Sequence, residues 1–320
     1  MDSGHYDFAE ARLRLDKLTE SRENLCSPNS MLAGVAQAPW PEDVKVMELG
    51  VPKVHRLVSV ENGDAEEMVF RLPGILVAKE LPPIEKPMGK NTKAKYLKQS
   101  VTVAGLGNSA FTQSVQALSI LDAAFGRWLG TDNIQPNAIV SSFRGNLAIQ
   151  ASNRYFTPAL LARAGDEPIV DLEQHVDPKG ILRKLAGDEY VHLSENQVIY
   201  TTITKTEHGK DRYNVIPFTI VTKVAHLLDS NLSLPPRSFQ LGDIVELLVS
   251  VLAVKVDMRT GKYRMVCTLR AISLLDGSIS EIANIMKLQA TNRELHAAPR
   301  LKRRLNLSDN DEDSKRMREE

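Results

Sequence analysis

Two long runs of β-branched and aliphatic residues do most to limit what this chain can fold into: Ile244-Val-Glu-Leu-Leu-Val-Ser-Val-Leu-Ala-Val254 and Tyr263-Arg-Met-Val-Cys-Thr-Leu-Arg-Ala-Ile-Ser-Leu-Leu275. Side chains branched at Cβ lose rotamer freedom in a helix and pack well on a pleated surface, so both runs predict strands. Thr260-Gly261 lies between them and supplies the turn that joins antiparallel neighbours, which makes the pair a hairpin about 257–262. The same signal recurs upstream in Val198-Ile-Tyr-Thr-Thr-Ile-Thr204 and Tyr213-Asn-Val-Ile-Pro-Phe-Thr-Ile-Val221. Residues 175–285 are therefore expected to form a β-rich, barrel-like module.

Upstream the pattern is mixed. Phe8, Ala11, Leu15 and Leu18 recur at helical spacing within 7–23, a helix able to dock on the body or on a partner, and a Ser/Pro/Ala/Gly linker runs to Pro41. Short runs at Val44–Met47, Val54–Val60, Met68–Leu72 and Ile75–Ala78 predict strands, with a turn at Asn62-Gly63. Residues 108–130 predict a helix: Asn108 or Ser109 can cap it, Val115, Leu118, Leu121, Ala124, Phe125 and Trp128 share its apolar stripe, and Gly130 ends it. Strand runs at Ala138–Phe143 and Leu147–Gln150 follow, then short helices at Pro158–Arg163 and from Asp177-Pro178 to Leu185. The fold class expected is α+β: an α/β region at 42–165, the β-rich module, and a disordered tail at 286–320.

In 320 residues, 42% hydrophobic and 25% charged content is enough for a real core, and an aromatic share of 5% makes that core aliphatic. Lys plus Arg equals Asp plus Glu at 40 each, which excludes a chain that holds nucleic acid by bulk charge. Any such binding must be local. Cys26 and Cys267 show neither pairing nor metal-ligand spacing, usage that fits a reducing compartment, and no apolar run reaches the ~20 residues of a membrane span. A soluble, intracellular protein without membrane contact is expected.

The tail gives an address. Lys302, Arg303 and Arg304 precede Lys315, Arg316 and Arg318 by ten residues, the spacing at which an extended peptide fills two acidic grooves of a nuclear import carrier. Arg and Lys number seven in 300–320 against six acids, so the segment makes a poor polyanion binder. Between the clusters, Ser308-Asp-Asn-Asp-Glu-Asp313 places acids where acidophilic kinases prefer them, and phosphate on Ser308 would make this spacer more negative.

Three stretches are candidates for ligand contact. Lys86, Lys90, Lys93, Lys95 and Lys98 follow one another with no acid after Glu85; they could neutralise several phosphates while Tyr96 stacks a base. The hairpin offers Lys255, Arg259, Lys262, Tyr263, Arg264 and Arg270, although a charged turn also serves simply to keep an edge strand soluble. Gly105-Leu-Gly107-Asn-Ser-Ala110 stands between a β run and the 108–130 helix, the order needed for a pyrophosphate to rest on a helix N-terminus. No acid ends the following strand, and the chain does not alternate strand and helix as a doubly wound sheet does. No catalytic residue or metal-ligand cluster stands out, and no cofactor is expected outside that glycine reading.

Phe239-Gln-Leu-Gly-Asp-Ile-Val-Glu-Leu247 resembles the glycine turn and acid with which many small β-barrels, including oligonucleotide-binding ones, enter a long curved strand. Together with Asp177-Pro-Lys-Gly-Ile-Leu182, Glu189-Tyr-Val-His-Leu-Ser-Glu-Asn-Gln-Val-Ile-Tyr200 and Arg264–Asp276, it also resembles a family recurrent in mushroom-forming (basidiomycete) fungi. That resemblance covers about the C-terminal third and implies a fungal origin and a modular unit; it carries over no catalytic residue and no ligand. The function expected is a nuclear, non-enzymatic protein associated with single-stranded nucleic acid or chromatin. A protein–protein adaptor, using the β module and the N-terminal helix, is the alternative, and a nucleotide-dependent enzyme built on Gly105–Ala110 is the third.

Overall fold

A computed structural model describes residues 4–37, 43–61, 63–85, 92–135, 139–163, 165, 167–203, 233–256 and 261–297. Its strands are β1 (Val44–Leu49), β2 (Val54–Glu61), β3 (Asp64–Glu67), β4 (Phe70–Glu80), β5 (Lys98–Ala104), β6 (Val140–Phe143), β7 (Asn146–Arg154), β8 (Thr157–Pro158), β9 (Tyr190–Val191), β10 (Ile199–Thr202), β11 (Ile244–Lys255) and β12 (Tyr263–Asp276). The helices are α1 (Phe8–Leu25), α2 (Ser109–Leu129), α3 (Ala159–Ala162), α4 (Ile181–Ala186) and α5 (Ser278–Ala297).

The expected hairpin forms as β11 and β12, antiparallel from Ile244↔Asp276 to Lys255↔Tyr263. Its strands then recruit partners from the first half of the chain. β11 pairs antiparallel with β4, β4 with β5, β5 with β7, and β7 runs parallel to β12 at Ser152↔Thr268. The pairings thus return to their starting strand, and β1, β2, β3, β6 and β10 extend the same sheet. Two modules meeting near residues 165–175 were expected; instead, strands on either side of that boundary share one sheet. Hydrogen bonding between strands this far apart leaves no local trace in sequence.

Alternation along β11 shows how the core is made. Val245, Leu247, Val249, Val251 and Ala253 enter one cluster with Val101, Val103, Ile149, Ala151, Met265, Cys267 and Leu269 from the neighbouring strands. α2 adds Phe111, Leu118, Leu121 and Phe125 to that cluster. Its N-cap is Asn108, whose side chain accepts from the Phe111 amide at 2.8 Å, and Gly130 follows its last turn. Trp128, expected in the stripe, is 61% exposed instead.

α1 docks on the body rather than waiting for a partner. Ala11 and Leu15 are buried against Ile75, Val77, Ala104, Ala148, Ile244 and Ile279. The linker reading fails at Met31-Leu32-Ala33, all buried, with Leu32 in the main core. Met68–Leu72 and Ile75–Ala78, expected as separate strands, belong largely to the continuous β4. Short helices appear close to their expected places, and Asp177 caps α4 by accepting from the Leu182 and Arg183 amides at 3.2 and 2.9 Å. α5 runs to Ala297, so the tail expected from 286 begins as helix. The run Tyr213–Val221, the turn residues Asp257–Thr260, and residues 298–320 with the import clusters and Ser308 lie outside the described residues.

Candidate nucleic-acid interface

The lysine stretch ends in a short 3-10 turn, Ala94–Tyr96, that leads into β5. Ala94 is buried with Tyr155, Phe156, Leu172 and Leu182, which anchors the turn and leaves its neighbours outside. Tyr96 is 70% exposed, and Lys95 Nζ stands 4.7 Å from its ring centroid, within cation–π range. Lys93, Lys95 and Lys98 are all exposed, and none is held by an ion pair among the described residues. Lys86 and Lys90 lie outside the described residues.

At the hairpin, Lys255, Lys262 and Arg264 are exposed, while Arg259 lies outside the described residues. Tyr263 is half-buried: His55 meets its ring edge-on at 5.1 Å, and Lys255 Nζ lies 5.9 Å from its centroid. Burial, helped by Lys255, holds the His55 imidazole below its ordinary range against the pull of Glu48. Arg270 is not a surface cation. It is buried and donates through Nε to Ser250 at 3.1 Å, through Nη1 to the Glu195 carbonyl at 2.9 Å, and through Nη2 to both Glu67 oxygens at 2.7 and 2.8 Å. Position 270 follows the strand alternation onto a face that Glu67 and Glu195 cover.

Register places the two basic stretches at opposite ends of the same strands. Lys98 lies across from Arg154 and Ala104 across from Ala148, while Ser152 is level with Thr268. The lysine turn therefore enters β5 beside the end of β7, and the chain enters β12 at Tyr263 toward the start of β7. Val101, Val103, Ile149 and Ala151 point into the core, so the opposite face of β5 and β7 carries the pairs Lys98–Arg154, Ser100–Ser152 and Thr102–Gln150. None of these six is acidic. A carboxylate does flank them: Glu80 accepts from Ser100 Oγ at 3.2 Å.

Sequence reasoning missed the cleft beside this face. A cavity of about 160 Å³ opens between β7, β11, β12 and β2, lined in part by Arg56, Ser152, Arg154, Glu195, Thr268 and Arg270. Arg154 binds Glu195 at 2.7 Å, Glu195 binds Arg56 at 2.5 Å, Arg56 binds Glu67 at 2.9 Å, and Glu67 binds Arg270 at 2.7 Å. Burial opposes charge on Glu67, but Arg270 and Arg56 outweigh it and hold the carboxyl below its ordinary range. These residues lie far apart in sequence. The only local signal was the alternation of Leu147–Gln150, which, carried on to 154, puts Arg154 on the outer face.

The glycine pattern at 105–110 has another explanation. A side chain on Gly105 would collide with the Phe111 ring, and Gly107 adopts φ +85°. Asp16 of α1 accepts from the Asn108 side-chain amide at 2.6 Å, which sets a carboxylate near the helix N-terminus where a pyrophosphate would need to lie. Strand, glycine turn and helix do follow in order, yet β5 pairs antiparallel with β4 and β7 and makes no parallel βαβ unit. Burial pushes the Cys267 thiol up to about 12, so it stays protonated, and no group of three or more His, Cys, Asp or Glu among the described residues could hold a metal.

No protein-family model matches the chain, and no curated protein does. Among solved structures it is similar to gp2.5, the single-stranded DNA-binding protein of bacteriophage T7, at 11% identity and a TM-score of 0.30, over 65% of this chain and 86% of that one. It is also similar to the single-stranded DNA-binding protein of bacteriophage Enc34 in complex with single-stranded DNA, at 8% identity and a TM-score of 0.28, over 74% and 97% of the two chains.

Proposed function

We propose that the chain binds single-stranded nucleic acid across the outer face of β5 and β7, on a small barrel of the oligonucleotide-binding type. One observation carries this reading: the ring of pairings. In chain order the ring strands are β4, β5, β7, β11 and β12, and around the closed circuit β4 pairs with β5, β5 with β7, β7 with β12, β12 with β11 and β11 with β4. A five-stranded Greek-key barrel of this type binds oligonucleotides with its second and third strands and with the loops joining its first to second and fourth to fifth strands. Here those strands are β5 and β7, and those loops are the lysine stretch and the 256–262 turn.

Chemistry at the two ends fits the role. Exposed lysines neutralise phosphates, releasing their counterions, and Tyr96 offers an open ring face for an unpaired base. Because the chain is neutral overall, binding depends on this local excess of cations and weakens as salt rises. Fluorescence anisotropy with an oligothymidylate is expected to show binding at about 50 mM salt, a steep loss by about 200 mM, and weaker binding to duplex. No binding to single-stranded DNA or RNA at the lower salt defeats the reading.

Delivery to the nucleus by the tail, toward nucleic acid or chromatin, is part of the same proposal. A fluorescent fusion with alanine at Lys302, Arg303, Arg304, Lys315, Arg316 and Arg318 is expected to lose nuclear enrichment; unchanged enrichment excludes the address. A second reading, a protein adaptor, is favoured by the exposed Ile282, Ile285 and Met286 on α5. Protein partners retained at high salt, with no oligonucleotide binding at low salt, would favour it.

A further inference from the structure

The acid–base chain around the cleft alternates in sign and ends in arginine on both sides: Arg154, Glu195, Arg56, Glu67, Arg270. Three guanidiniums thus share two carboxylates, a surplus of one positive charge in a concave, largely buried place. The surplus is not spread evenly. Arg270 spends Nε, Nη1 and Nη2 on protein acceptors. Arg154 uses Nη2 alone, for the Val51 carbonyl at 2.8 Å and Glu195 at 2.7 Å. Its Nε and Nη1 have no partner among the described residues, and its side chain lines the cavity.

We propose that this cleft holds a phosphate group, bound by an N–H donor that the Arg154 guanidinium leaves free. An arginine N–H makes a charge-assisted hydrogen bond to a phosphate oxygen, and the guanidinium keeps its charge under all ordinary conditions. The hydroxyl-bearing Ser152 and Thr268 line the same cavity and can donate to further oxygens. Burial lowers the pKa of Arg154, and Arg56 and Arg270 add to that against the pull of Glu195. An anion in the cleft offsets both effects. Arg154 also stands across from Lys98, so the cleft adjoins the outer face of β5 and β7. The source of the phosphate rests on the reading above: a phosphodiester of a strand lying on that face, or else a free phosphate.

The test uses the full chain, with Arg154→Gln, Arg154→Lys and Ser152→Asp. Calorimetric titration with inorganic phosphate is set beside anisotropy with an oligothymidylate of about 12 nucleotides, within the span of one such barrel. Thermal midpoints check that each variant folds; the partly exposed Arg154 makes loss of folding in Arg154→Gln unexpected. If a phosphodiester fills the cleft, Arg154→Gln lowers the slope of log affinity against log salt by about 0.7, the value of one single-strand phosphate contact. Ser152→Asp weakens binding by repulsion, and Arg154→Lys retains most of the slope. Inorganic phosphate binding that needs Arg154, without oligonucleotide binding, keeps the site and removes the strand-binding reading. Oligonucleotide binding with the wild-type slope in Arg154→Gln, and no Arg154-dependent phosphate binding, overturns the site and leaves strand binding intact. Absence of both kinds of binding overturns both.

Discussion

A carboxylate in a strand covered on both faces has to be neutralised in place, and Glu246, 1% exposed in the middle of β11, is held in this way. Arg22 from α1 reaches it through Nε and Nη2 at 2.8 and 2.6 Å, and Arg71 of β4 at 2.7 Å. Breaking a buried pair from one side strands a charge at a cost of about 3–5 kcal/mol, so Arg22→Ala is expected to lower unfolding free energy by that much in urea titrations. A loss under about 1 kcal/mol would mean that Arg71 alone suffices. The second buried pair system makes a pH prediction. The folded-state pKa of Glu67 lies below its unfolded value of 4.5, so its contribution is fully present above the unfolded value and is lost as pH falls through the folded one. Thermal midpoints followed from pH 6 to pH 3 should therefore fall more steeply in the wild type than in Glu67→Gln. Parallel curves would show that the carboxylate does not stabilise the fold.

At the scale of single elements, the turn Ala94–Tyr96 is the plainest test of the interface. Ala94 is buried and holds the turn, so the exposed Tyr96 ring can be removed without touching the core. Stacking on one aromatic ring is worth about 1–3 kcal/mol per base, so Tyr96→Ala should weaken oligonucleotide binding by roughly 5- to 160-fold, while Tyr96→Phe keeps it. An unchanged affinity in Tyr96→Ala would remove the ring from the interface. Other elements were readable because their signals are local. A cap, a helical stripe and a glycine give α2, and two β-branched runs with a turn give β11 and β12. The misreadings have equally local causes. Pro73-Gly74 looks like a break, yet β4 passes through it; Leu32 sits among turn-forming residues, yet the core takes it in.

The whole molecule was the least legible level, since what joins it is pairing between distant segments. Nothing near Phe70 announces that it will lie against Val249, or near Ser152 that it will lie against Thr268. A change from a mixed strand and helix pattern to a β-rich one suggested two modules, and the basic loops were visible, but only register shows that they bracket one face. The cleft arginines illustrate the same gap: Arg56, Arg154 and Arg270 look like ordinary solvated charges until the sheet brings them together with Glu67 and Glu195. A consequence for stability follows. If 42–165 and 175–285 were separate folding units, each half would fold alone and the intact chain could unfold in two steps. Because β11 is flanked by β4 on one side and β12 on the other, removal of either half leaves β4 or β11 with a bare edge and opens the common core to water. Residues 1–174 alone are thus expected to lack a cooperative transition. The intact chain should instead unfold in one step, with tryptophan fluorescence and far-ultraviolet circular dichroism coincident across a urea titration. Two resolved transitions, or a well-folded half, would restore the two-module architecture and remove the ring on which the interface depends.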